Sequence, residues 1–250
     1  MLTPSLAVVV ALAQERRALA GILEAARTER IGEFRAVRGT LAARSIHLIQ
    51  AGIGPLRAGR AAQALLDRGP CHGIWSLGFA GGLAAGLARG DLVCADCLLC
   101  EMPQGCARHR SAAAEALAAA LGAAGLRAQR GPVLTVAAPL RTAAAKRAAH
   151  ERTGAVAVEM EAFGVAEAAL ARGVPWAALK VILDGAQDPL PELTARCTTP
   201  QGDLSPRGLA GALLAGGGTF GALWRLGRAA GVARHRLRDA FRAAVAAWSP

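Results

Sequence analysis

Thr153 to Asp188 reads TGAVAVEMEAFGVAEAALARGVPWAALKVILDGAQD, and its periodicity changes twice along its length. Val156 to Val158 is a short β-branched run. From Met160 onward Ala162, Phe163, Ala166, Ala169 and Leu170 recur at helical spacing. Gly173 and Pro175 stop that helix, and Trp176 to Leu183 is a nearly continuous apolar run, as a strand buried on both faces requires. Strand, helix and strand in this order predict an α/β fold with a largely parallel sheet. Glu159 and Glu161 then stand where the first strand enters the helix, and Asp184 just past the second strand. Ligands of such sheets bind at that carboxyl edge, so the three carboxylates are candidates for chemistry.

Working outward, Leu6 to Leu12 predicts the first strand and Glu15 to Glu24 the helix it feeds. Phe34 to Val37 and Leu41 to Gln50 read as a hairpin around Arg38-Gly39-Thr40. Ala51-Gly52-Ile53-Gly54-Pro55 is a glycine-rich turn able to cradle an anion, followed by a helix from Leu56 to Asp67. Ile74 to Leu77 is a strand running into Gly78-Phe79-Ala80-Gly81-Gly82. A strand from Leu92 to Leu99, a helix from Ser111 to Ala124 and a strand from Val133 to Ala137 follow. Pro189, Pro191, Pro200 and Pro206 predict an irregular connector up to Gly216-Gly217-Gly218. In the last helix Leu223, Leu226, Ala230, Ala233, Leu237, Phe241, Val245 and Trp248 share one face and arginines occupy the rest. The predicted organisation is a catalytic domain over 1–190, a connector over 191–218 and a basic amphipathic helix over 219–250.

Composition narrows the functional classes. The net charge is +11, and Arg207, Arg225, Arg228, Arg234, Arg236, Arg238 and Arg242 against Asp239 put more than half of the excess after Pro206. A nucleic-acid binder would interleave such charges with stacking aromatics or a recognisable motif, and neither is present. Six cysteines in 250 residues are too sparse for a disulfide scaffold. Cys94, Cys97, Cys100 and Cys106 superficially match iron–sulfur spacing, but strand alternation predicts Cys94 and Cys100 on one face and Cys97 on the other, so no metal is expected. The apolar N-terminus lacks a basic leader and reads as a first strand, and no run reaches the ~18 apolar residues that span a bilayer. The expected location is cytoplasmic.

Carboxylates and glycine loops at one sheet edge suit cleavage of the N-glycosidic bond of a nucleoside. A buried carboxyl can protonate the departing purine, and a glutamate at a helix start can accept hydrogen bonds from vicinal ribose hydroxyls. The blocks Leu77-Gly78-Phe79-Ala80-Gly81-Gly82, Gly90-Asp91-Leu92-Val93, Val158-Glu159-Met160-Glu161-Ala162 and Val181-Ile182-Leu183-Asp184 resemble, in order and spacing, the signatures of the nucleoside phosphorylase and methylthioadenosine/S-adenosylhomocysteine nucleosidase superfamily. The resemblance implies a three-layer α/β/α sandwich with a central mixed, barrel-like sheet and no cofactor. It implies that Asp184 is the general acid, that Glu161 holds the ribose hydroxyls with Met160 against the sugar, and that Phe79, Ala80, Gly81, Leu140 and Glu159 line the base and sugar site. Taken singly, Glu161 would read as a helix-dipole carboxylate and Asp184 as a cap on the turn at Gly185.

Two departures choose within the superfamily. Its hydrolytic members carry a water-activating glutamate shortly after the first strand, and Ala13 is read as the matching position, which disfavours hydrolysis. Inorganic phosphate as co-substrate would instead be held by Arg16, Arg17, Arg57 and the turn at Gly54. The residue before the acid, usually small and polar, is Leu183. Together with the basic tail, this resembles the hopanoid-associated phosphorylase branch and implies release of adenine from a lipid-linked nucleoside, adenosylhopane. The expected partners are that nucleoside, anionic membrane on its inner face through the last helix, and further copies of the chain, but no nucleic acid. The alternatives are a hydrolytic nucleosidase, a non-catalytic nucleoside- or membrane-binding protein, and a last helix packed on the core or at a dimer interface.

Overall fold

The structure, a computed structural model, describes residues 5–102, 105–190, 199–203, 205 and 217–248. The elements are β1 (Ser5–Val10), α1 (Ala13–Ala20), β2 (Glu24–Ile31), β3 (Phe34–Leu41), β4 (Arg44–Gln50), α2 (Pro55–Leu66), β5 (Cys71–Gly82), β6 (Leu92–Met102), β7 (Gly105–Arg110), α3 (Ala114–Ala123), β8 (Ala128–Thr135), α4 (Ala143–Thr153), β9 (Ala157–Glu159), α5 (Ala162–Leu170), β10 (Trp176–Asp184) and α6 (Gly217–Ala247). In α6 the side chains are described from Ala230 on, so the shared face expected for Leu223 and Leu226 lies outside the described side chains.

The mixed sheet of ten strands is organised around β5. Its first half pairs in parallel with β1, its second half in parallel with β10, and its last residues antiparallel with β9. β10 pairs onward to β6, β6 to β8, and β8 to β9, so the pairings return to β5 and close a barrel. β4, β3 and β2 extend the sheet beyond β1. One apolar cluster joins α2 and α5 to one face through Ala58, Ala62, Leu65, Val165 and Ala169. A second joins α1, α3 and α6 to the other through Leu19, Leu117, Leu121, Leu237 and Phe241. This is the expected three-layer arrangement around a mixed, barrel-like sheet.

Four expectations are corrected. The hairpin does not turn at Gly39: β3 runs straight through it, and the reversal falls on Ala42 and Ala43, with φ of 50° and 59°. Gly39 is instead a close-approach residue, because a Cβ there would lie 2.9 Å from the Leu23 Cβ and 2.8 Å from the Glu24 carbonyl oxygen. Its neighbour β2, EAARTERI, carried no apolar alternation to announce it, being a mostly exposed edge whose charges discourage further pairing. Cys94 and Cys100 do not share a face. The β6–β8 register slips between Ala95 and Cys97, so Cys94 packs towards α3 and α6, Cys97 beside Leu83 and Leu134, and Cys100 towards the α2–α5 side. Burial pushes the Cys94 thiol up to about 12, the behaviour of a small buried hydrophobe. α4 was absent from the sequence reading, since its alanines and charges show little amphipathic pattern.

The last helix is the fourth. Ala230, Ala233, Leu237, Ala240, Phe241, Ala244, Val245 and Trp248 are buried against the sheet. Trp75 of β5 meets Phe241 and Trp248 edge-on at 6.3 and 5.0 Å between ring centroids. From Ala230 on, the apolar face therefore belongs to the core and is not available to a lipid surface. Among the described residues, no helix is long and apolar enough to cross a membrane.

Candidate active site

The carboxyl ends of β1, β9 and β10 lie against β5, and Glu15, Glu159, Glu161 and Asp184 stand at or just after them. Asp184 ends β10 in register with Gly81, and a Cβ on Gly81 would come 3.2 Å from its Oδ2. Glycine at that position leaves the carboxylate room beside the strand. Asp184 is buried and its carboxyl is raised above its ordinary value by burial, which outweighs the pull of Lys146. Lys146 of α4, itself wholly buried, pairs with the Asp184 Oδ2.

Glu161 stands at the N-cap of α5 and its Oε1 accepts from the Gly54 amide at 3.0 Å. Burial, then the charge of Glu159, push its carboxyl from 4.5 up to about 8, with Lys180 opposing. Glu159 has a different occupation. Its oxygens accept from the Glu161 and Ala162 amides at 3.0 and 2.8 Å and from the Thr135 hydroxyl at 2.5 Å, and its Oε2 lies 2.9 Å from Lys180 Nζ. Lys180 completes its set on Ser76 at 2.9 Å. Glu159 thus caps α5 and neutralises a buried lysine, and so orients Glu161 from behind. Of the other expected pocket residues, Phe79, Gly81, Leu140 and Met160 keep partial exposure and Ala80 is buried.

The sequence reading missed Glu15. The strand ends at Val10 and the helix begins at Ala13, so Glu15 is the third residue of α1 and turns back over the strand end. Its Oε2 accepts from the Ala11 and Leu12 amides at 3.0 and 2.8 Å, and its Oε1 from the Phe79 amide at 2.9 Å. Gly78, at φ +152°, is required beneath it, because a Cβ there would lie 2.7 Å from Oε1. Desolvation raises the Glu15 carboxyl, and its three amide donors and Lys180 only partly offset this. A strand running to Leu12 with a helix from Glu15 points to Ala13 as the equivalent position, whereas the helix starts at Ala13 and carries Glu15 over the strand end. A glutamate at the third helical position reaching back to the cap is the signal that identifies it. The stretch after the first strand therefore does hold a buried carboxylate, and the argument from a missing base is overturned.

The groups expected to hold phosphate are engaged elsewhere. The amides of Gly52, Ile53 and Gly54 donate to Ala11 O at 3.1 Å, Pro200 O at 2.9 Å and Glu161 at 3.0 Å. Arg57 donates to Ala51 O at 3.0 Å and pairs with Glu33 at 3.5 Å, and Arg16 donates to Gln50 at 2.9 Å. Arg17 lines a groove of about 310 Å³ with Gln14, Ala18, Arg234, His235 and Arg238 between α1 and α6, which none of Glu15, Glu161 and Asp184 lines. Among the described residues no three His, Cys, Asp or Glu side chains are placed to hold a metal.

Residues 5–199 match the model of the phosphorylase superfamily. The chain belongs to that superfamily. Among its relatives, a 5′-methylthioadenosine/S-adenosylhomocysteine nucleosidase of Mycobacterium bovis is 37% identical over 89 residues, covering 36% of this chain and 35% of that protein's length. The superfamily fold recurs in the nucleosidase of Neisseria meningitidis in complex with methylthio-immucillin-A, at a TM-score of 0.76 and 20% identity over 98% of this chain and 100% of that one. It recurs in the Streptococcus pyogenes S-adenosylhomocysteine nucleosidase at 0.77 and 16% identity over 100% and 99%. A futalosine hydrolase of Helicobacter pylori matches at 0.65 and 18% identity over 72% and 89%.

Proposed function

We propose that this chain hydrolyses the N-glycosidic bond of a 5′-substituted adenosine, releasing adenine. The observation that carries this reading is Glu15, a buried carboxylate fixed by three amides beside the glycine end of β5. Gly78 lies under Glu15 and Gly81 beside Asp184, so both groups adjoin the last residues of one strand. In this reading the ribose lies between Asp184 as the acid on the base side and Glu15 as the base on the water side. As the bond from C1 to the purine breaks, its electron pair passes to the purine, which takes the proton of Asp184. Glu161 accepts from the ribose hydroxyls and so holds the sugar in place while positive charge develops on it. Water adds to C1 and loses its proton to Glu15, which burial makes a stronger base than a solvated carboxylate. The adenosine substrate class is supported by the nucleosidase relatives, and hydrolysis by the prior engagement of the turn amides that would cradle phosphate.

The second reading is phosphorolysis of a lipid-linked 5′-substituted adenosine. It is supported by the groove of Arg17, Arg234 and Arg238, whose described lining holds no acidic residue and which offers a site for an anionic group of the substrate apart from the three carboxylates. Adenine release from methylthioadenosine, S-adenosylhomocysteine and a lipid-linked 5′-substituted adenosine, each with and without phosphate, separates the two. Hydrolysis predicts equal rates without phosphate, and a loss of roughly 100-fold or more in kcat for Glu15→Gln with nucleoside binding retained. Release that requires phosphate and yields ribosyl phosphate would replace the first reading by the second.

A further inference from the structure

Lys146 is unused by the mechanism above, yet it is the most deeply buried cation of the site. Its ammonium donates to Asp184 Oδ2, to Gly185 O at 2.7 Å and to Asp188 O at 2.8 Å. All three partners are acceptors, so each N–H of the ammonium is satisfied. Thr142 caps α4 by accepting from the Ala145 amide at 3.1 Å and so fixes the first turn, from which Lys146 projects. Leu183, where a polar neighbour of the acid is expected, packs instead into the α1–α3–α6 cluster. The polar partner of Asp184 therefore comes from another element.

We propose that Lys146 is a positioning residue that sets the proton affinity of Asp184 and aims its carboxyl by fastening the segment Gly185–Asp188 to α4. This rests on Asp184 being the acid of the reaction. Burial alone disfavours the carboxylate that proton transfer leaves behind. A cation in contact, itself shielded from solvent, makes the carboxylate left after proton transfer stable. The other charges facing Asp184 are Asp188, which opposes Lys146, and Arg89, which assists it. Both are partly exposed: Arg89 donates to Leu183 O at 3.0 Å and lies 4.0 Å from the Asp188 carboxylate. Lys146 alone touches the acid from a dry position.

The test compares Lys146→Met, which removes charge and donors, Lys146→Gln, which keeps a donor without the charge, and Lys146→Arg, which keeps the charge. The readouts are the pH profile of adenine release from methylthioadenosine and the carboxyl-carbon NMR titration of Asp184 in the ligand-free full-length protein, assigned by its loss in Asp184→Asn. In Lys146→Met and Lys146→Gln the Asp184 titration and the alkaline limb of kcat are expected to move up by about 1–3 pH units, with Lys146→Arg returning them towards the wild-type position. If Lys146→Met does not fold, Lys146→Gln carries the same comparison. A titration that stays in place while kcat falls in the neutral variants would reduce Lys146 to a structural tie and overturn the proposal. Unchanged turnover in Asp184→Asn would instead remove the acid itself.

Discussion

Glu161 shows how one side chain couples the site to stability. Its carboxyl is raised from 4.5 to about 8, so the folded chain holds a proton that the unfolded chain releases. A raised carboxyl favours the fold below its unfolded value, and this contribution disappears as pH climbs through the folded value. Between about pH 4.5 and pH 8 the Tm is therefore expected to fall, by roughly 5 °C or more, and Glu161→Gln to remove most of that slope. Glu15 and Asp184 are shifted in the same direction and leave a residual slope. A wild-type Tm that rises over the same interval would contradict the assignment. At this scale the sequence disclosed residues with a recognisable neighbourhood: Glu161 and Asp184 lie within patterned blocks, and the structure puts both at the converging strand ends. Glu15 and Lys146 were hidden for different reasons. The first depended on a helix start that the sequence pattern put two residues late, at Glu15 instead of Ala13. The second lies on α4, which has no apolar stripe, and its partner is distant in sequence, so only the folded chain shows its role.

Helices α2 and α5 meet through glycine, and their separation sets the position of Glu161, the proposed ribose holder. A Cβ on Gly59 would lie 3.2 Å from the Gly164 carbonyl oxygen, and one on Gly164 would collide with the Pro55 carbonyl. Both obstacles are backbone, so relief requires the helices to part. The Gly54 amide at the start of α2 and Glu161 at the start of α5 are hydrogen-bonded across this same contact. Gly164→Ala is thus expected to cost about 1–3 kcal/mol in chemical denaturation and to raise KM more than it lowers kcat. A variant with unchanged denaturation midpoint and KM would show that the helices can part freely. Helical periodicity in Phe163 to Leu170 was legible beforehand. Which glycine marked a turn and which a close approach was not, because Gly39 and Gly164 acquire their meaning from segments remote in sequence.

Across the whole molecule, the basic tail is the feature whose meaning changed most. Its amphipathic pattern was plain in the sequence, but amphipathicity fits a lipid surface and a protein core equally well. The burial of Leu237, Phe241, Val245 and Trp248 over Trp75 assigns the described part of that face to the core. A chain ending at residue 216 would uncover Trp75, which is fully buried in the intact protein. It is expected to bind a hydrophobic dye and to lose the cooperative unfolding transition of the full chain. A truncated chain with the same transition and no dye binding would free α6 for another role.

The closure of the sheet has a consequence for how the protein is made. β10 lies between β5 and β6, so it fills a gap that stays open until about three quarters of the chain has been synthesised. Until then both neighbours present unpaired edges, a hazard for a nascent polypeptide. The strand that closes those edges is the one that ends in Asp184. Completion of the barrel and placement of Asp184, the proposed proton donor, are a single late event, so the chain cannot hold that carboxyl in place before its sheet is sealed.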